Sequence, residues 1–96
     1  MTLTATCTHD GHDYEARLTH DAGRTRVVLS RDGIDAGKGR WWMGGIVECS
    51  VGFSADAYEA IDRAIFAAVN ARCVELGDEP TPEREALTAL VHPTRL

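Results

Sequence analysis

The chain has 96 residues, 44% hydrophobic and 26% charged, with a formal net charge of −5. That size allows a single domain, 1-96, and excludes a second. The composition excludes disorder, and the acidic balance argues against general nucleic-acid affinity. Three scattered cysteines, Cys7, Cys49 and Cys73, are odd in number, form no Cys-x-x-Cys pair and argue against a disulfide framework, which fits a reducing compartment.

Residues 2 to 9 alternate, with Leu3, Ala5, Cys7 and His9 on one face and Thr2, Thr4, Thr6 and Thr8 on the other, which predicts a strand. Asp10-Gly11 has the chemistry of a type I′ hairpin turn, whose two central residues both take positive φ. The next strand then places His12, Tyr14, Ala16 and Leu18 on the apolar side. A two-residue loop sets His9 opposite His12, Cys7 opposite Tyr14 and Ala5 opposite Ala16. A four-residue turn at Asp21-Ala22-Gly23-Arg24 leads to a third strand, Thr25 to Arg31, pairing Leu18 with Val27 and Ala16 with Leu29. Asp32-Gly33 ends that strand, and residues 34 to 40 read as a glycine-rich, charged connection whose mobility suits a partner contact.

A fourth strand is expected from Trp41 to Phe53. Alternation puts Trp41, Met43, Val47, Cys49, Val51 and Phe53 on one face and Trp42 and Ile46 on the other. A helix beginning near Ala57, capped by Asp56 with Glu59 at capping-box spacing, carries an apolar stripe of Tyr58, Ile61, Ile65, Val69, Cys73 and Leu76. Gly77 ends it, and Thr81-Pro82 starts a second helix over 82 to 91 with Ala86, Leu87, Leu90 and Val91 inward and Pro93 as its stop. The fold class expected is therefore α+β: a four-stranded antiparallel β-sheet (meander) packed by one long α-helix, plus a short C-terminal helix.

Cys7, His9 and His12 share one face of the first hairpin and form the best metal candidate, although a fourth ligand is not evident. Cys7 and His9 lie about 6 to 7 Å apart along the strand with no oxyanion element, so no nucleophilic site is expected and the chain is read as not an enzyme. Gly33 to Gly39 imitates a phosphate loop, but it is one residue short, lacks the metal-binding hydroxyl and precedes a strand, so no nucleotide cofactor is expected. Strands followed by a helix also describe double-stranded RNA-binding domains. The helix start here, Asp56-Ala57-Tyr58-Glu59, has the wrong charge to grip phosphates, and direct nucleic-acid binding is not expected. No basic leader opens the chain and no segment approaches about 20 apolar residues, so no membrane span is expected and a cytoplasmic protein is.

What remains is a surface. Glu75, Asp78, Glu79, Glu83 and Glu85 face only Arg84 in their stretch, while Arg24, Arg26, Arg31, Lys38 and Arg40 outnumber Asp32 and Asp35 in theirs. One of two adjacent tryptophans must leave the core, and Trp42 beside Ile46 and Arg40 has the composition of an interface anchor. The intramolecular alternative is that Leu87 and Leu90 cover Trp42 and Ile46. The candidate partner-binding residues are thus Trp42, Ile46, Arg40, Glu75, Asp78, Glu79, Glu83 and Glu85.

A short meander with one or two helices, acidic and without catalytic motifs, resembles in overall organisation the small acidic phage anti-CRISPR proteins. The resemblance implies stoichiometric inhibition of a bacterial CRISPR effector through a protein–protein interface in the host bacterial cytoplasm, and it transfers no residue role. A small metal-binding protein using Cys7, His9 and His12, or a homodimeric accessory protein, stays open as an alternative.

Overall fold

The computed structural model describes residues 1–42 and 44–91. Five strands run in sequence order, β1 (Thr2–His9), β2 (His12–Asp21), β3 (Arg24–Arg31), β4 (Ile34–Trp42) and β5 (Gly45–Val47), followed by α1 (Ala55–Leu76) and α2 (Pro82–Val91). All neighbours are antiparallel and the spatial order is β1-β2-β3-β4-β5, a pure meander. The α+β architecture is the one expected from sequence, with five strands in place of four. Met43 and Pro93, to which sequence reading gave a core face and a helix stop, lie outside the described residues.

The first hairpins follow from local chemistry. Asp10-Gly11, Ala22-Gly23 and Asp32-Gly33 each place two successive residues at positive φ, between 49° and 82°, which is the turn geometry whose twist matches that of the flanking strands. The register is the one expected, His9↔His12, Cys7↔Tyr14 and Ala5↔Ala16, then Leu18↔Val27 and Ala16↔Leu29. The second turn is tighter than expected, because Asp21 and Arg24 pair and only two residues loop.

Residues 34 to 40 are not a loop; they form β4, hydrogen-bonded to β3 with a bulge between Leu29 and Ser30. The glycines serve close approach. Gly37 and Gly39 occupy the core face, opposite Leu29 and Val27, and the segment after β5 crosses directly over them. A Cβ at Gly37 would overlap Val51 Cγ2, and one at Gly39 would lie 3.1 Å from Cys49 Cα and Val47 O. Ser50 N–H donates to Lys38 O at 2.9 Å, and Lys38 N–H to Ser50 Oγ at 3.1 Å, fastening the crossing. The expected Trp41-to-Phe53 strand therefore breaks. The chain reverses before Gly45, β5 lasts three residues, and Glu48 at φ 51° turns the backbone toward the crossing.

Helix α1 lies over β1 and reaches β5, so the curled sheet wraps it as a half-barrel. Ala57, Ile61, Ile65 and Val69 recur every fourth residue and are buried against Leu18, Val27, Leu29, Tyr14 and Trp41. Each fully buried Leu or Ile here contributes about 1.5–3 kcal/mol relative to exposure. Ser54, not Asp56, caps the helix: its Oγ accepts from Ala57 N at 3.2 Å, while Asp56 sits in the first turn. At the far end, Gly77 N–H donates to Cys73 O and Val74 O, and Arg84 Nη1 donates to Cys73 O at 2.6 Å. Thr81 Oγ1 accepts from Arg84 N and starts α2, whose Leu87 and Leu90 close the core.

Asp62 on α1 is less settled. Gly45 lies beside it, and its Oδ1 is the one buried side-chain polar atom lacking a hydrogen bond among the described residues. Burial raises its carboxyl from 3.8 to about 6, and the Ile46 amide offsets only part of that. The unfolded chain gives up this proton first, so stability falls as pH rises from about 4 through about 6.

Urea unfolding checks both of these features. Gly37→Ala destabilises by about 1–3 kcal/mol through overlap with Val51, whereas Gly52→Ala, with open space around it, stays within about 0.5 kcal/mol. Asp62→Asn raises the urea midpoint at pH 7.5 and leaves it nearly unchanged at pH 4; an equal gain at both would contradict the burial of an ionised carboxylate.

A candidate docking face on the outer side of the sheet

Both helices pack on one side of the sheet, so the other side carries no covering element among the described residues. The register defines which residues occupy it. Val27 pairs with Gly39 toward the core; hence Arg26 with Arg40, and Val28 with Lys38, point outward. Arg24, Trp42, Arg17, Thr19, Glu15, Ser30 and the β1 threonines share that parity.

The two tryptophans separate cleanly. Trp41 is 4% exposed, stands edge-on to Phe66 with ring centroids 5.5 Å apart, and donates its indole N–H to Leu90 O at 2.8 Å. Trp42 is 49% exposed on the outer face. Helix α2 therefore covers Trp41, and the proposed covering of Trp42 by Leu87 and Leu90 does not occur. Ile46 corrects the sequence reading. The reversal before Gly45 pairs Trp41 with Ile46, and cross-strand partners share a face, so Ile46 packs on the core and is parted from Trp42. Arg40 does accompany Trp42; its Nε lies 2.7 Å from Glu48 Oε2.

Along the strands the outer face changes sign. Toward the Asp10-Gly11 and Asp32-Gly33 turns it is a polar hollow of about 730 Å³ lined by Thr6, Thr8, Asp13, Glu15, Arg17 and Asp35, among others. Asp35 Oδ1 accepts from Ser30 Oγ and from Arg17 Nη2, each at 2.8 Å, and the Ser30 bond first, then Arg17, holds its carboxyl below the usual range. His12 Nδ1 sits 2.7 Å from Asp32 Oδ2, while Asp32 Oδ1 accepts the Asp13 N–H at 2.9 Å; that amide bond first, then His12, lowers the Asp32 carboxyl. Toward the Ala22-Gly23 turn the face is basic, with Arg24, Arg26 and Arg40 near Trp42 and Lys38 farther along β4. A smaller hollow of about 360 Å³ is lined there by Thr19, Asp21, Ala22, Arg24 and Arg26.

The acidic stretch is more nearly neutralised than its sequence suggests. Arg72, just outside the stretch, joins the two helices: its Nη1 lies 2.7 Å from Glu75 Oε2, and its Nε and Nη2 lie 2.6 and 3.0 Å from the two oxygens of Glu83. Arg72 thereby holds the Glu83 carboxyl below its usual range. Asp78 is exposed, 3.8 Å from Arg84. Glu79 and Glu85 are exposed and have no ion pair among the described residues. These five carboxylates lie at the α1–α2 corner, on elements other than the one that carries Trp42.

The metal candidate fares differently. His12 is turned to Asp32, burial pushes the Cys7 thiol up, away from thiolate, and no group of three or more His, Cys, Asp or Glu among the described residues is placed to hold a metal ion. No helix among the described residues is long and apolar enough to cross a membrane.

The sequence reading grouped Arg24, Arg26 and Lys38 as basic residues but did not place them on this candidate face. The period-two spacing Arg24-x-Arg26 and Lys38-x-Arg40-x-Trp42 was visible, but its meaning depends on residues 34 to 40 forming a strand. No family model matches the chain, and no curated protein and no solved structure matches it either.

Proposed function

We propose that this protein is a small protein-binding module that docks through the outer face of its sheet, with Trp42 as the anchor. The observation that carries the reading is the placement of Trp42, 49% exposed yet fixed on a strand whose preceding residue is locked in the core. A large aromatic held rigidly in the open gives much contact area at little entropic cost, which is why tryptophan dominates interface energetics. Among the described residues the other exposed large hydrophobics, Ile34 at 73% and Val74 at 82%, are aliphatics on the far end of β4 and on α1, where an isolated exposed side chain needs no partner. The free carboxylates of the α1–α2 corner, Glu79 and Glu85, offer a secondary contact.

The finer reading is stoichiometric inhibition of a bacterial CRISPR effector in the host cytoplasm. What supports it is the likeness in overall organisation to the anti-CRISPR proteins, and no residue of this chain adds to it. The competing reading within the same class is a homodimer built on the same face.

The test compares wild type with Trp42→Ala as bait, with folding checked by circular dichroism. Loss of a central aromatic anchor weakens capture of a given partner by about 30-fold or more. Light scattering of the bait alone separates a second copy from a foreign protein. A folded Trp42→Ala variant that captures the same proteins as wild type, equally tightly, would remove this face as the docking surface.

A further inference from the structure

The cations of this acidic chain are not evenly engaged. Arg17 is held by Asp35, Arg31 lies over the Phe53 ring at 5.5 Å, Arg63 pairs with Glu59, Arg72 with Glu75 and Glu83, and Arg84 bonds the α1 terminus. Among the described residues Arg24, Arg26 and Lys38 alone have no such partner, and all three stand on the outer face of β3 and β4, Arg24 and Arg26 at the Trp42 end and Lys38 two outward positions along β4 from Trp42. The Arg40–Glu48 pair next to them is exposed on both sides and therefore cheap to exchange. Asp21, opposite Arg24, is the one other carboxylate at this end of β2–β4.

Resting on the docking reading above, we infer that this basic half-face receives an acidic polypeptide segment in extended form, with carboxylates at alternate positions over Lys38 and the Arg26–Arg40 row and an apolar side chain on Trp42. The spacing fits, since outward residues of a strand repeat about every 6.6–6.8 Å and an extended peptide presents alternate side chains at the same interval. From Lys38 to Trp42 the row spans about 13 Å, enough for a segment of the form acidic-x-acidic-x-apolar. Val28, half-buried between Arg26 and Ser30, gives the row an apolar floor. A nucleic-acid strand is disfavoured, because continuing along the face brings its phosphates onto Asp13, Glu15 and Asp35, and the protein as a whole carries −5.

The probe is a synthetic peptide Glu-Ser-Glu-Ser-Leu with blocked ends, titrated while tryptophan emission is followed, beside its Gln-Ser-Gln-Ser-Leu counterpart and a ten-nucleotide oligothymidine. The Glu peptide is expected to bind below about 1 mM, to weaken at least tenfold between 50 and 500 mM salt, and to lose at least tenfold on Arg26→Gln with Lys38→Gln. The double variant's thermal midpoint, measured alongside, guards against misfolding. Equal binding of the Gln peptide, tighter binding of the oligonucleotide, no peptide binding below 1 mM, or an unaffected double variant would each overturn the inference. If the peptide fails while capture of a protein partner still depends on Trp42, the inference falls and the docking reading stands. If both fail, both fall.

Discussion

The indole of Trp41 decides how the rest of this molecule is displayed. Its ring fills the end of the core beside Phe66, and its N–H is satisfied by Leu90 O, 49 residues away, so a buried donor ties the fourth strand to the last helix. A strand alternates strictly. Once Trp41 is committed inward, Trp42, Arg40 and Lys38 have no choice but to face out, and the antiparallel pairing brings Arg26 and Arg24 to the same side. The outer face is thus a consequence of core packing and not an independent feature of the surface.

Strand β4 fills its inner side by an unusual division of labour. Its inward positions before Trp41 are Gly39 and Gly37, which bring no side chain, and the space is taken by Cys49 and Val51 from the segment that crosses above. Tyr58 adds a second fastening, its hydroxyl donating to Val51 O and its ring meeting Phe53. Burial pushes that hydroxyl up to about 12, so it remains a donor throughout the physiological range. The path of β4, and with it the placement of Trp42, therefore depends on a crossing made by residues 47 to 51, after the strand has ended.

This explains which parts of the fold were legible in the chain. The first three strands were, because turn chemistry and alternation agree within each hairpin and every apolar residue of Ala16, Leu18, Val27 and Leu29 has a local partner. Both helices were, because Ile61, Ile65 and Val69 or Leu87 and Leu90 mark one face each; only the cap moved, from Asp56 to Ser54. Strand β4 was not, since Gly37, Lys38 and Gly39 have poor strand propensity and the groups that stabilise them come from residues 47 to 51. The same blind spot misplaced Ile46, whose face depends on where the chain reverses. It left Arg24, Arg26 and Lys38 looking like charges near a loop. The partial neutralisation of the acidic corner was hidden for a simpler reason: Arg72, one helical turn before Glu75, reaches both Glu75 and Glu83, and a count along the chain from Glu75 onward does not include it.

Adjacent tryptophans thus have opposite fates, one structural and one presented, and iodide quenching of single-tryptophan variants tells them apart. With Trp41→Phe, emission from Trp42 should be quenched strongly by iodide, which the neighbouring cations attract, and the quenching should weaken with added chloride. With Trp42→Phe, emission from Trp41 should be blue-shifted and nearly insensitive to iodide. Similar quenching of the two indoles, or protection of Trp42 in the free protein, would contradict this division.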